Sequence, residues 1–255
     1  MDRSFHEGNR KRLYEALTPG SLLAVFSGEE IRKTNDEYYP FFADRSFVYL
    51  TGLEGKEFAL LADRDGAGAA WERLYILPPD AHAERWTGRR VKPAEAEAAS
   101  GISDIRYASA FGTDFHALAT SGRYASLWLD LYRASPNDLD RPAHRLLQRA
   151  QRDYPFLKIE NANAAIRRLR TVKQPCEIEA LRGAEKTTGE GILAMMKASR
   201  PGLYEYQYKA EFDRALGWHG PRMHGFPPII SAGRNNFCIH YYDYMGLAQD
   251  GDMIY

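Results

Sequence analysis

Ser21-Leu22-Leu23-Ala24-Val25-Phe26-Ser27-Gly28 is an apolar run closed by a glycine, and it reads as a buried strand. Leu13 and Leu17 precede it at helical spacing, and Thr18-Pro19-Gly20 breaks that helix. After it, Ser46-Phe47-Val48-Tyr49-Leu50-Thr51-Gly52, Phe58-Ala59-Leu60-Leu61-Ala62 and Arg73-Leu74-Tyr75-Ile76-Leu77 read as further strands, separated by Gly- and Pro-containing turns. The pattern then predicts an Ala/Glu helix over 94–100 closed by Gly101, a strand over 126–130, a proline-started helix over 142–154 and a strand over 157–159. Strands alternating with helices imply an α/β sheet with both faces covered.

Beyond Glu160 the texture becomes helical over 163–200, with Ile166, Leu169 and Val172 on one apolar face. Ile178, Leu181, Ile192, Leu193 and Met196 continue that face past a break at Gln174-Pro175. A domain boundary near residue 170 follows, giving one domain over 1–170 and a second over 171–255. Within the second, Pro201-Gly202 ends the helical region, and Tyr208, Phe212 and Leu216 mark one face of another helix over 204–216. An apolar strand from Phe226 to Ser231, a Gly/Asn turn and a second apolar strand over 237–241 then deliver His240 to a floor of β-structure. The turn Asp250-Gly251-Asp252 leads into a last strand that reaches Tyr255.

Lys plus Arg and Asp plus Glu both number 34, so net charge supplies no attraction to nucleic acid or to an anionic membrane. No window approaches the roughly 18 apolar residues of a membrane span, and the charged start at Met1-Asp2-Arg3 lacks the apolar run of a secretion signal. Cys176 and Cys238 stand far apart and resemble neither a disulfide framework nor a metal knuckle. A soluble protein of the reducing cytoplasm is the expectation.

His240 leads the candidates for chemistry, because a neutral imidazole can donate to a developing oxyanion or relay a proton near neutral pH. His219 and His224 flank Gly220-Pro221-Arg222-Met223, which suits a pocket rim, a metal-binding loop or a solvated loop. Glu84-Arg85-Trp86-Thr87-Gly88-Arg89-Arg90 sets an aromatic among three arginines; read as a loop, it suits carboxylate capture, subunit contact or a solvated turn with Trp86 tucked into the sheet. Zinc-protease, serine-hydrolase and nucleotide-binding readings lack their motifs.

Several blocks, in order along nearly the whole chain, resemble the aminopeptidase P and prolidase family, which is related to creatinase and methionine aminopeptidase. They are Asp36-Glu37-Tyr38-Tyr39 with Arg45 to Gly52, the Glu84 to Arg89 segment, Arg168 to Glu179, Arg200-Pro201-Gly202-Leu203-Tyr204-Glu205-Tyr206, Phe226 to Gly233, and Asn235 to Tyr241 leading into Asp250-Gly251-Asp252. The resemblance implies a creatinase-type N-terminal mixed sheet flanked by helices, followed by the first part of a pita-bread α+β metallopeptidase domain. It implies release of the residue preceding proline from proline-containing peptides by two divalent metal ions, often manganese. His240 matches the histidine that contacts substrate and helps to stabilise the tetrahedral intermediate, and Trp86 resembles a tryptophan that reaches towards a neighbouring subunit's substrate site in oligomeric relatives.

The metal ligands of such enzymes are two aspartates, one histidine and two glutamates, and none is assigned within these residues. The first is expected just past Tyr255, and Asp243, Asp250 and Asp252 receive no metal role. The implied reading is therefore the front part of a homo-oligomeric Xaa-Pro aminopeptidase, with no metal expected in this chain and no activity from it alone. Two alternatives stand beside it: a non-catalytic creatinase-like binding or dimerisation module, and a family member acting on a non-peptide substrate.

Overall fold

The computed structural model describes residues 1–68, 70–220 and 224–255. In it the chain divides into two compact units, Met1–Val172 and Lys173–Tyr255.

The first unit is built on a six-stranded mixed sheet in the order β4-β3-β2-β1-β5-β6. Its strands are β1 (Ser21–Phe26), β2 (Ala59–Arg64), β3 (Ala70–Ile76), β4 (Ile105–Tyr107), β5 (Ser126–Leu129) and β6 (Lys158–Asn161). β2 pairs antiparallel with β1 and β3, while β1 with β5, β3 with β4 and β5 with β6 are parallel. Successive side chains point to opposite faces, so the unbroken apolar run of β1 serves two cores. Leu23 and Val25 join Leu60, Ala62, Leu74 and Ile76 on one face. Helices α1 (Arg3–Ala16), α2 (Arg45–Thr51), α4 (Pro93–Ser100) and α7 (Asn163–Thr171) cover that face. Leu22 and Ala24 join Leu61, Tyr75, Leu127 and Leu129 on the other, beneath α5 (Phe111–Ala119) and α6 (Pro142–Asp153). Each fully buried leucine contributes about 1.5–3 kcal/mol to the layered arrangement.

A charged group is enclosed in this unit. The Arg10 guanidinium of α1 donates from Nε and Nη2 to the two Glu72 oxygens of β3 at 2.8 and 2.9 Å. Its Nη1 donates to the Leu50 carbonyl at 2.7 Å, and the Tyr14 hydroxyl donates to the same Glu72 at 2.8 Å. Arg10 thus ties α1 to β3 and to the last turn of α2.

Two segments of this unit depart from the sequence reading. Residues 46–52, expected as a strand, form α2. Asp44 caps it by accepting from the Ser46 and Phe47 amides at 2.8 and 3.2 Å, and Gly52 ends it in the left-handed conformation with φ of 72°. Caps at both ends outweigh the strand propensity of Phe47, Val48 and Tyr49. The segment around Trp86 is a short helix, α3 (Ala81–Thr87), capped by Asp80.

The second unit begins with α8 (Pro175–Ala198) and α9 (Glu205–Trp218), which pack together as a helical hairpin. They meet closely at Gly191, where a Cβ atom would lie 2.7 Å from the Phe212 ring. Leu203, Tyr208, Ile230, Ala232 and Ala248 form its small buried core. The two strands expected around the Gly/Asn turn do not form. Residues 226–231 are irregular, Gly233–Phe237 is a 3₁₀ helix, and His240 lies in a turn. Phe237 and Ile239 are 90% and 81% exposed, so the apolar alternation there meets no facing sheet. Local partners replace the ladder: Ser231 Oγ donates to Asn236 Oδ1 at 2.7 Å, and Asn236 Nδ2 donates to the Met253 carbonyl at 2.9 Å. Cys238, placed within an apolar strand by the sequence, is exposed. The last strand is represented by one bridge, Ala232 opposite Ile254, flanked by reciprocal bonds between Ser231 and Tyr255.

Candidate functional site

The segment that carries His240 is folded around a carboxylate. Glu205 is the first residue of α9, and its exposure is 0%. Its Oε1 accepts from the Ala232 amide at 2.7 Å and from Asn235 Nδ2 at 2.8 Å. Its Oε2 accepts from the Tyr241 hydroxyl and from the Gly246 amide, both at 2.7 Å. Asn235 Nδ2 also reaches the Tyr241 oxygen at 3.0 Å, which closes a ring of three side chains. Burial works against the charged carboxyl, but the hydrogen bonds from Asn235, Tyr241, Gly246 and Ala232 outweigh it and hold Glu205 below the usual carboxylate range. Burial first, and then the Glu205 carboxylate, raise the Tyr241 phenol in return.

Backbone pairing docks the same segment to the start of α9. The Glu205 amide donates to the Gly246 carbonyl at 2.9 Å, and the Tyr206 amide to the Tyr244 carbonyl at 3.0 Å. Gly246 is required by proximity, since a Cβ atom there would fall 2.5 Å from both Glu205 Oε1 and Asn235 Nδ2. His240 itself is exposed, and its ring stacks on Tyr242 with centroids 6.3 Å apart. An exposed imidazole on an anchored turn can present a donor or an acceptor to a ligand.

His219 and His224 line a separate groove of the second unit. About 800 Å³ of space opens between α8, α9 and residues 224–230, with Ile192, Phe212, Leu216 and Ile229 among its walls. His219 Nε2 lies 2.5 Å from Glu190, and His224 Nε2 lies 3.0 Å from Asp213 Oδ1. Both rings therefore engage carboxylates at the rim; Pro221, Arg222 and Met223 between them lie outside the described residues. Trp86 belongs to the first unit. It is 80% exposed, so it is not tucked into the sheet, and α3 has no buried residue.

Two family models match the chain in order: the aminopeptidase P N-terminal domain over residues 6–128 and metallopeptidase family M24 over residues 179–255. The chain belongs to the aminopeptidase P family. It is similar to the Xaa-Pro aminopeptidase of Escherichia coli K12, at 25% identity over all of this chain and 58% of that protein. A Bacillus anthracis structure described as a candidate aminopeptidase P superimposes on the whole chain with a TM-score of 0.95 and 29% identity, and the chain covers 60% of it. The E. coli aminopeptidase P structure with the inhibitor Pro-Leu shares the fold at a TM-score of 0.88 and 22% identity, with 58% of that chain covered. The chain thus spans somewhat under two thirds of the length of these relatives.

Divalent metals are the chemistry of family M24, and such ions need carboxylates and imidazoles grouped within one coordination sphere. Among the described residues no three His, Cys, Asp or Glu side chains come together that could hold a metal ion. Asp252 is occupied in its turn, accepting from the Gln249 amide at 2.8 Å. The described residues do not fit a metal pair.

Glu205 is the residue that reading the sequence for chemistry overlooks. The signal available was positional: an acidic side chain at the first turn of a helix, just after Pro201-Gly202. That signal marks a helix start as readily as an anchor. Its four partners lie 27 to 41 residues further on, and no local pattern announces them.

Proposed function

We propose that these residues belong to a metal-dependent Xaa-Pro aminopeptidase, which releases the residue preceding proline from proline-containing peptides, and that His240 contacts the substrate carbonyl. The observation that carries this reading is the order and extent of the family matches, an N-terminal domain model followed by an M24 model. An Xaa-Pro aminopeptidase aligned over the whole chain supports it. His240 would donate to the oxygen on which charge develops as the peptide bond is attacked. Two divalent ions, manganese by the family's habit, are the cofactor that this reading implies for the whole enzyme. Among the described residues no donor groups are assembled that could hold them, and the 255-residue chain alone is expected to be inactive. Trp86, exposed on α3, would reach a neighbouring subunit's substrate in a homo-oligomer of the cytoplasm. Among the described residues no helix is long and apolar enough to cross a membrane.

One observation favours a second reading, that of a binding or assembly module. Phe237 and Ile239, which precede His240 in the chain, are both exposed, and such side chains favour association. Titration of the purified chain with an Xaa-Pro peptide, followed by a manganese-dependent cleavage assay, separates the two readings. The aminopeptidase reading predicts that the peptide perturbs His240 and that the 255-residue chain turns over none of it. Self-association with no peptide response would favour the assembly module, and manganese-dependent cleavage would overturn the claim that this chain is inactive alone.

A further inference from the structure

The four donors bound by Glu205 are neutral, and they come from the beginning, middle and end of the segment that displays His240. Ala232 precedes the 3₁₀ helix, Asn235 lies within it, Tyr241 follows His240 directly, and Gly246 ends the loop. A carboxylate is suited to this because it is acceptor-only, with two oxygens that together offer about four lone-pair directions. Glutamine would present a donor to two of these donors. The His240 ring is exposed, and its stacking partner Tyr242 lies on the far side of Tyr241 in the chain. The course of the backbone through 240–242 is therefore set where the Tyr241 hydroxyl is held, at 2.7 Å from Glu205.

We propose that Glu205 is the positioning residue for His240, acting through the Tyr241 hydroxyl and the Asn235 amide. Its relevance to substrate rests on the assignment of His240 to substrate contact, whereas the positioning itself does not. A purely structural role for Glu205 makes a different forecast. It would lower the stability of the second unit without changing the surroundings of the His240 ring in the molecules that remain folded.

The test is NMR of the isotopically labelled full 255-residue chain, reading the His240 Cε1–Hε1 signal, which is assigned by its disappearance in His240→Ala. Tyr241→Phe removes one of the four bonds and leaves three, so the unit stays folded. It is expected to move the His240 signal towards that of a free histidine side chain. Glu205→Gln is expected to move it in the same direction with a larger loss of melting temperature. Tyr208→Phe is the control, since its hydroxyl bonds Ser199 at 3.1 Å and the Arg200 carbonyl at 3.5 Å rather than any residue of the loop. It should lower stability and leave His240 in place. An unchanged His240 signal in Tyr241→Phe, or an equal shift in Tyr208→Phe, overturns the proposal. Adding an Xaa-Pro peptide to the unsubstituted chain separates the two levels: no response of His240 to peptide, with both loop variants shifting it, removes the substrate assignment and leaves the positioning role standing.

Discussion

Replacing Glu72 with glutamine should weaken the first unit more than any surface charge change. Arg10 is 1% exposed, and Glu72 supplies both acceptors of its fork while also accepting from Tyr14. Glu72→Gln keeps the shape but removes the negative charge and turns one acceptor into a donor, leaving the buried guanidinium with the Leu50 carbonyl and one amide oxygen. Breaking a buried pair costs about 3–5 kcal/mol. The Glu72 side chain is 27% exposed and partly screened by water, which places the expected loss near about 3 kcal/mol. For a unit of this size each kcal/mol moves the midpoint by about 2–4 °C, so a fall of roughly 6–12 °C should appear in thermal unfolding, with a matching change in urea. The double variant Arg10→Met with Glu72→Met should recover most of the loss, because an apolar pair leaves no unpaired charge. A loss below about 1 kcal/mol for Glu72→Gln would class the pair with exposed salt bridges and refute the reasoning.

Three further outcomes follow from single residues. Gly246→Ala should destabilise the second unit by about 1–3 kcal/mol, because the new Cβ meets Glu205 and Asn235 at 2.5 Å; hydrogen exchange of the Glu205 and Gly246 amides checks it. Glu205 is held below its ordinary carboxyl range in the folded state, so its contribution is present above about pH 4.3 and is lost as pH falls through the folded value. Unfolding of the second unit measured down to acid pH should show that loss, and Glu205→Gln should flatten it. Trp86→Ala should change the stability of the first unit by less than about 0.5 kcal/mol, since the ring is 80% exposed, while reducing the assembly size seen by sedimentation.

What could be read from the chain depended on how local its causes are. β1, β2 and β5 were legible because strands buried on both faces write themselves as continuous apolar runs. α6 was legible from a proline at its first helical position, and α4 from its Ala/Glu composition and from Gly101 just past its end. α2 was misread because Phe47, Val48 and Tyr49 suit a strand, while the deciding signals, Asp44 and Gly52, stand outside the apolar stretch. β4 and α5 passed unread: three residues are too few for a strand pattern, and α5 has no side-chain cap. At the site, the type and order of residues around His240 pointed to the family, but its local conformation did not follow from them. That conformation is set by a carboxylate on another element, and the strand pattern of 237–241 loses to it.

The most direct measurement is Xaa-Pro peptide hydrolysis by the product of the complete reading frame containing these residues, with and without His240→Ala, in the presence of manganese. Metal-dependent release of the residue before proline is expected, with a fall of about 10²–10³ in kcat for the variant, the cost of losing a donor to the developing oxyanion. Equal rates for the two proteins, or no cleavage before proline by the unsubstituted one, would contradict it.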